Sequence, residues 1–255
     1  MPLNVPPDTA EGAPGRTAQA PPPAPAIAEL PLLGRLRFFL FGRTLPAFFF
    51  GFVAWNQIHT LRHHIDVYRA SPSWTTGIDI PHDVLYLLFC AIPVGIYLTR
   101  AVPRASDGSL PARVAAFAGT TILLFIGAFV SDTHLFWSSE TLRLWVGSPI
   151  LVAAFAFAVV GLLYLRRNLS IMPEARGLVT AGPYSLVRHP LYLAEIAAAL
   201  GFIVGSATGV QLVSFVIFVA LQMARAGYEE RLLSATFPEY AGYAARTKRI
   251  LPGVW

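Results

Sequence analysis

The chain has 255 residues, of which 55% are hydrophobic and only 13% are charged. Soluble globular domains carry about 25% charged residues, so this composition excludes an ordinary soluble domain and indicates a membrane protein. The net charge of +5 comes from arginines that lie between apolar segments. This distribution favours a role in membrane orientation, and no nucleic-acid partner is expected.

The first 30 residues differ from the rest of the chain. They are rich in proline and alanine and hold few side chains that could form a core. This composition predicts a disordered, partly polyproline-like tail over residues 1–30. The tail lacks the basic start and apolar core of a signal peptide.

Apolar segments of about membrane-spanning length follow the tail. Six can be counted, at residues 37–58, 82–99, 112–131, 147–165, 188–205 and 209–226. Arg43 and Pro46 interrupt the first segment, so we expect it to be tilted, kinked or partly interfacial. The sequence therefore predicts an all-α, polytopic membrane protein with about six transmembrane helices. The first four lie within residues 31–165, and a short turn predicts that the last two form a tight antiparallel hairpin.

Positive residues fall mainly on one side of this six-span arrangement. That side carries the arginines before the first span, around residues 100–113 and 166–188, and after the last span. The opposite side carries only Arg62, Arg69 and Arg143. Because cytoplasmic loops are enriched in arginine and lysine, both termini are predicted to be cytoplasmic. Residues 227–255 then form short amphipathic helices on the cytoplasmic surface, separated at Pro238.

Histidines cluster between the first two spans. His59, His63 and His64 are predicted in the first outer loop, with His82 and Asp83 in its second half. The spacing of the first three would suit a metal only if the loop were helical, and no cysteine or glutamate completes a ligand set. We therefore expect no metal site.

A polar block precedes the fifth span, with the sequence T-A-G-P-Y-S-L-V-R-H-P-L-Y. Pro190 fits the first turn of the next helix, whose positive dipole end suits an anionic ligand. Arg188 and His189 add hydrogen-bond donors, and Tyr184 and Tyr192 add aromatic surface for a sulfonium or an adenine ring. The alternative is an interfacial anchor, in which arginine reaches towards water and tyrosine lies in the aromatic belt.

A second polar cluster, Arg225 with Glu229 and Glu230, ends the sixth span. Arg225 and Glu229 are four residues apart and share a helix face. The arginine could hold a carboxylate or phosphate, and the carboxylate could accept hydrogen bonds from ribose hydroxyls or an amino group. The alternative is a surface salt bridge worth about 0.3 kcal/mol. The two clusters flank one helical hairpin and therefore predict one site assembled from both.

These motifs resemble a known family. The block G-P-Y-S-L-V-R-H-P-L-Y, a helical hairpin, and then E-E-R-L-L-x-x-x-F-x-x-Y-x-x-Y with a later R-x-x-P are similar to the isoprenylcysteine carboxyl methyltransferases. That family belongs with the phospholipid N-methyltransferases among integral-membrane methyltransferases that use S-adenosylmethionine. The resemblance covers about residues 165–255, and it implies that residues 166–255 form the catalytic region.

The resemblance also implies roles for individual residues. The side chains that line or hold the cofactor would be Leu178, Val179, Tyr184, His189, Pro190, Leu191, Tyr192 and Glu229. Arg225 would face the substrate, where eukaryotic members bind the carboxylate to be methylated, so Arg225 and Glu229 are the predicted catalytic pair. Tyr240 and Tyr243 would help to close the site. Arg176 stands where the family commonly has a histidine, and it could replace that histidine as a donor. Asn168 could also reach the cofactor.

The sequence therefore predicts an S-adenosylmethionine-dependent methyltransferase at the cytoplasmic membrane face, acting on a lipid-like acceptor. Carboxylate O-methylation is favoured, because a carboxylate is already ionised at neutral pH, whereas an amine or thiol needs a base. Two alternatives stay open: an NADPH-dependent membrane reductase of related architecture, and a non-catalytic membrane scaffold. Pro190 and the pair Glu229-Glu230 favour the methyltransferase. The sequence does not indicate an oligomeric state.

Overall fold

The computed structural model describes residues 23–128 and 135–251 of the chain, and it is mostly helical. The predicted tail lies largely in residues 1–22, outside the described part, as does the end of the third predicted span. A 3-10 turn at Ile27–Glu29 precedes the first long helix. The helices are α1 (Leu32–Ala70), α2 (Trp74–Thr99), α3 (Leu110–Ala128), α4 (Glu140–Asn168), α5 (Pro183–Leu186), α6 (Pro190–Gly205), α7 (Gly209–Thr236) and α8 (Tyr240–Arg246).

Four of these helices, α1, α2, α4 and α7, are long and apolar enough to cross a membrane. Helix α6 is apolar but shorter, and α3 runs into residues that are not described, so the count of six spans is not confirmed. Large apolar side chains such as Phe48, Trp55 and Val216 are exposed on the outside of the bundle. Such an exposed apolar surface suits contact with lipid. The chain is an integral membrane protein.

The predicted interruption in the first span is a local widening of a continuous helix. Residues Phe38–Thr44 form a π-helical segment, after which the N–H of Leu45 donates to the carbonyl oxygen of Leu40. Pro46 lies in the first turn after this segment, where its lack of an N–H is tolerated. Arg43 turns inward and its Nη2 donates to the carbonyl oxygen of Arg100 at 2.6 Å, which ties α1 to the end of α2.

The prediction of an outer loop for the histidines was wrong. His59, His63 and His64 lie in the last turns of α1, while His82 and Asp83 lie in α2. The helix continues beyond the apolar segment because helix-compatible residues follow it, and it ends only where a Ser-Pro-Ser sequence begins. Ser73 then caps the start of α2 by accepting the N–H of Thr76.

The hairpin of α6 and α7 is less tight than predicted. A three-residue strand, β4 (Ser206–Thr208), joins the two helices and pairs antiparallel with β2 (Leu135–Ser138). Helix α6 packs mainly on α4, and α7 packs mainly on α3. The close approach to α4 depends on glycine, since a Cβ at Gly147 would lie 2.7 Å from the carbonyl oxygen of Gly201. A large cavity is lined by residues of α6 and α7 and also of α1, α2, α3 and α4.

At the predicted cytoplasmic end, α7 continues as one helix to Thr236. The sequence predicted that the last span ends at residue 226 and that a separate surface helix follows, and this prediction was wrong. Pro238 lies in the break between α7 and α8, as predicted. Two short strands, β1 (Ala105–Ser106) and β3 (Glu174–Ala175), pair antiparallel nearby. Phe237, Tyr240 and Tyr243 pack with Ala175 into a small core that closes this end.

Candidate active site

The polar block before α6 is held in an unusual backbone path. Gly182 has φ +61, and a Cβ there would lie 2.5 Å from the Tyr164 ring, so glycine is required on both counts. After the short helix α5, Arg188 and His189 run beside the C-terminal segment. Their N–H groups donate to the carbonyl oxygens of Lys248 at 2.8 Å and Arg249 at 3.0 Å. Lys248 and Arg249 thereby fix the residues that enter α6.

Glu230 connects the polar block to the C-terminal segment. Its carboxylate accepts the Nε of Arg188 at 2.9 Å and the Nη2 of Arg249 at 2.6 Å. His189 Nε2 lies 3.1 Å from the same carboxylate. The bonds connect α7, the start of α6 and the C-terminal segment, so Glu230 serves the structure of the site.

Glu229, the neighbouring residue, faces a different set of groups. The hydroxyl of Tyr192 donates to Oε1 of Glu229, and Nδ1 of His189 lies 3.8 Å from Oε2. The ring of His189 stacks on that of Tyr192, with centroids 5.2 Å apart and planes 6° from parallel. His189, Tyr192 and Glu229 thus form one contact group across α6 and α7.

A first cavity lies against this group. All eight residues predicted to contact a cofactor line it, and so do Asn168, Tyr240 and Tyr243. Its volume is about 120 Å³, below the roughly 300 Å³ at which ligand pockets usually begin. A nucleoside-sized ligand would therefore have to displace side chains at its wall, where Leu232 and Leu233 are only half-buried.

The tyrosines of this cavity are neutral hydrogen-bonding groups. Burial raises the pKa of Tyr243 to about 12, and its hydroxyl donates to the carbonyl oxygen of Tyr184 at 2.7 Å. Burial also raises the pKa of Tyr184, and the negative charge of Glu229 adds to this effect. Both side chains therefore offer aromatic surface without negative charge at neutral pH.

Arg176 does not line the first cavity. Its Nε donates to the carbonyl oxygen of Ala101 at 3.0 Å, and its Nη2 donates to Glu174 at 2.7 Å. Burial opposes ionisation of Glu174, but the guanidiniums of Arg176 and Arg100 outweigh it and hold the pKa of Glu174 below its usual value. The expectation that Arg176 replaces a cofactor donor was wrong, because the strand pairing of β1 with β3 directs this arginine towards the loop after α2.

Arg225 lines a second, larger cavity, to which α1, α2, α3, α4, α6 and α7 all contribute residues. Its guanidinium lies 4.7 Å from the centroid of the Tyr192 ring, and its Nη1 donates to Oε1 of Gln222 at 2.8 Å. It is only 5% exposed, and among the described residues its Nε has no hydrogen-bond partner. The side chain passes over Gly119, where a Cβ would lie 2.8 Å from Cδ of Arg225.

The sequence-based reasoning missed Glu195 and Gln222. Gln222 donates from Nε2 to Oε2 of Glu195, and Glu195 lines the larger cavity. A glutamate in the middle of an apolar span was the available signal, since ionisable residues inside membrane helices usually face an interior cavity. Glu195 and Arg225 therefore place a carboxylate and a guanidinium in the wall of the larger cavity.

The two cavities meet at shared side chains. Leu191 and Tyr192 from α6, with Leu169 and Ser170 from the loop after α4, line both. The smaller cavity opens towards the predicted cytoplasmic end, and the larger one extends into the bundle. Such an arrangement could hold two ligands whose reacting ends approach each other near Tyr192.

Comparison with known proteins gives a family for this part of the chain. Residues 142–240 match the family model for phospholipid methyltransferases. The chain is similar to the cobalt-zinc-cadmium resistance protein CzcN of Cupriavidus metallidurans, with 37% identity over 131 residues, covering 49% of this chain and 59% of that protein. It is also similar to the nickel-cobalt-cadmium resistance protein NccN of Alcaligenes xylosoxydans xylosoxydans, with 33% identity over 114 residues, covering 42% and 52%.

The chain thus spans little more than half the length of these curated relatives. The family match includes α6, α7 and most of the residues around both cavities, from His189 to Glu229. The match to the phospholipid methyltransferase family over residues 142–240, together with the four apolar helices of membrane-spanning length, supports a membrane methyltransferase domain in this part of the chain.

Proposed function

We propose that this protein transfers a methyl group from S-adenosylmethionine to a lipid-like acceptor at the predicted cytoplasmic membrane face. One observation carries the proposal: the residues expected to hold the cofactor line a single cavity, and that cavity adjoins a larger apolar one. The family match supports methyl transfer as the reaction class.

The chemistry of the smaller cavity fits the proposed cofactor. Glu229 presents a carboxylate that could accept hydrogen bonds from ribose hydroxyls. Tyr184 and Tyr192 present aromatic faces of the kind that attract a sulfonium cation. When bound, S-adenosylmethionine supplies an electrophilic methyl group. The protein's own contribution is to orient the two reactants and exclude water, and Tyr192 lies where both cavities meet.

The larger cavity suits an acceptor with an apolar tail. Its volume is about 690 Å³, within the range of roughly 300–1,000 Å³ that is usual for ligand pockets. Phe50, Phe89, Phe155 and Phe215 are among its lining residues. Because these side chains lie inside a membrane protein, an amphiphile from the bilayer could occupy the space without leaving an apolar environment.

Two acceptor groups are supported by different side chains. The guanidinium of Arg225, whose Nε has no hydrogen-bond partner in the part of the chain that the structure describes, supports the carboxylate that the sequence favours, because a guanidinium binds carboxylates well. Glu195 supports an amine or a thiol, because it could accept the proton that such a nucleophile must lose. We take the carboxylate as the first acceptor to test.

The names of the two relatives associate them with resistance to metals. A role of this chain in such resistance would be exerted through the methylated product.

Calorimetric titration of the detergent-purified protein with S-adenosylhomocysteine, with NADPH in parallel, tests the proposal. Saturable binding of S-adenosylhomocysteine alone is expected. Binding of NADPH alone would assign the protein to the membrane reductases of related architecture. Binding of neither ligand would favour the non-catalytic scaffold.

A further inference from the structure

The larger cavity extends far beyond the proposed methyl-transfer site. Leu191 and Ile203, near opposite ends of α6, both line it. At a rise of about 1.5 Å per residue this corresponds to roughly 18 Å along the helix axis. The end next to the proposed methyl-transfer site, here called the inner end, carries Tyr192, Glu195 and Arg225. The middle of the cavity is apolar and aromatic, and the opposite end is called the outer end. An occupant of this space would therefore be elongated.

The outer end of the cavity is polar again. Asp79, His64, His82, Arg143 and Gln211 line it there. A cavity that served only a hydrocarbon tail would be expected to end in apolar side chains, because polar groups next to hydrocarbon lose their hydration. Methyl transfer at the inner end therefore does not account for the polar residues at the outer end.

The charged groups of this outer end are already paired. Nη1 of Arg143 donates to both oxygens of Asp79 at 2.9 Å. Nδ1 of His64 lies 2.5 Å from Oδ2 of Asp83, and Nε2 of Gln57 donates to Oδ1 of Asp83 at 2.8 Å. Both carboxylates therefore have close partners, and an additional ion at this end would disturb the existing pairs.

His82 differs from its neighbours. It is only 9% exposed, and its Nδ1 has no hydrogen-bond partner among the described residues. Its nearest carboxylate oxygens are 3.9 Å from Nδ1, on Asp79, and 3.4 Å from Nε2, on Asp83. Buried polar atoms nearly always have a hydrogen-bond partner, and one without a partner is unfavourable. The Nδ1 atom is itself covered, but His82 lines the cavity, so a rotation of its ring would bring Nδ1 within reach of a ligand that supplies the missing bond.

We propose that the larger cavity binds an elongated amphiphile whose far end carries an uncharged hydrogen-bonding group, such as a hydroxyl, which bonds His82. The inference deepens the proposed function and rests on it, since the near end of the same ligand would carry the methyl acceptor. An uncharged group fits because the surrounding ions are paired. A methyl terminus would leave His82 buried without a partner.

The test compares ligands that differ only at the far end. Hexadecanoic acid and 16-hydroxyhexadecanoic acid form one pair, and the corresponding hexadecylamines form a second pair, so that both head charges are covered. Binding to the full chain in lipid nanodiscs is measured by calorimetry without any cofactor. The terminal hydroxyl is expected to tighten binding about 10-fold in at least one pair. Equal affinities within both pairs, or no saturable binding of any probe, would overturn the proposal.

Variants assign the effect to His82. His82→Leu is expected to abolish the hydroxyl preference while retaining binding of the unsubstituted chain, and His82→Gln to retain part of the preference because glutamine can still hydrogen-bond. Cys90→Ala is a control, since Cys90 lines the middle of the same cavity, two helical turns away. It is expected to keep the preference, and a preference that survives in His82→Leu would contradict the assignment.

Failure of this inference can be distinguished from failure of the proposed function. The hydroxyl preference is measured without S-adenosylhomocysteine, and binding of S-adenosylhomocysteine is measured without the long-chain probes. A protein that binds S-adenosylhomocysteine but shows no hydroxyl preference overturns only the inference about His82. A protein that shows the preference but binds no S-adenosylhomocysteine overturns the proposed methyl transfer.

Discussion

Glu229 and Glu230 are consecutive in α7, yet their carboxylates face different parts of the protein. Glu229 contacts the hydroxyl of Tyr192 at the wall of the smaller cavity. Glu230 is bound by Arg188 and Arg249 and holds the C-terminal segment against the entrance of α6. One residue of helical rotation, about 100°, is enough to separate a ligand-facing carboxylate from a structural one.

This separation predicts different consequences for two otherwise matched substitutions. Glu229→Gln should weaken binding of S-adenosylhomocysteine by about 10- to 100-fold, the range expected from losing a charged hydrogen bond of about 1.5–3 kcal/mol. Glu230→Gln should instead lower the thermal unfolding temperature, because Arg188 and Arg249 lose their ionic partner. Calorimetry and thermal unfolding of both variants measure the two effects.

Each variant serves as the control for the other. If Glu229→Gln bound the ligand as tightly as wild type, its placement in the cofactor site would be wrong. If Glu230→Gln unfolded at the wild-type temperature, the network around it would not be stabilising.

The parts of this site that follow from local sequence were predictable. Pro190 starts a helix, Gly182 permits a positive φ, and the spacing of Arg225 from Glu229 sets a common helix face. Whether a residue in the middle of an apolar span faces lipid or a cavity depends instead on how the helices pack. For that reason Glu195 was missed, although its charge alone marked it as unusual.

The histidines of α1 were misplaced for another physical reason. Hydropathy falls after residue 58, and a span was therefore ended there, but helix formation depends on backbone geometry rather than on hydropathy. The helix runs on to Ala70 and carries His64 to the outer end of the cavity. Arg176 was misjudged because a two-residue strand pairing, which no sequence periodicity shows, turns it away from the cavity.

Gly119→Ala should reduce methyl transfer without weakening cofactor binding. A Cβ at this position would lie 2.8 Å from Cδ of Arg225 and 3.3 Å from Oε1 of Gln222, so the arginine would have to move. We expect at least a 10-fold loss of methyl incorporation from labelled S-adenosylmethionine into membrane lipids, since displacement by about 1 Å can cost 100-fold. The affinity for S-adenosylhomocysteine should stay at the wild-type value.

Gly95→Ala is the matched control for this prediction. Gly95 also lies within a long apolar helix, α2, but nothing lies within 4 Å of a Cβ built there. Full methyl incorporation in Gly119→Ala would show that the position of Arg225 does not govern turnover.

The ion pairs of Glu174 predict a pH-dependent contribution to stability. Burial opposes its ionisation, but Arg176 and Arg100 lower its pKa below the usual value of 4.5. A carboxyl group with a depressed folded-state pKa stabilises the protein at pH values above its unfolded pKa. This stabilisation is lost as the pH falls through the lower, folded-state pKa.

Glu174→Gln should therefore unfold at a lower temperature than wild type at pH 7. The difference should shrink as the pH is lowered below about 4.5. Thermal unfolding of the two proteins in detergent across this range measures it. A difference that stays constant down to acid pH would mean that the charge of Glu174 makes no contribution.

Glu195 distinguishes the two acceptor chemistries. It shares the cavity wall with Arg225 and is held by Gln222. If the acceptor is a carboxylate, Glu195→Gln removes a like charge from the wall and should preserve or raise turnover. Methyl groups transferred to a carboxylate form esters, which release methanol in base, whereas methylated amines and thiols do not. Base-labile label from S-adenosylmethionine in membrane extracts therefore measures the expected product.

A loss of turnover in Glu195→Gln would instead indicate that Glu195 acts as a base. A loss of 100-fold or more in Glu195→Gln, within the range attributed to general base catalysis, together with base-stable label, would assign the acceptor to the amines or thiols. Glu195 would then accept the proton of the nucleophile, and Arg225 would bind another anionic group of the same substrate. Gln222→Leu removes both the hydrogen bond that orients Glu195 and the one that Gln222 accepts from Arg225, so it should lower turnover with either acceptor, and the base stability of the label then distinguishes the two chemistries.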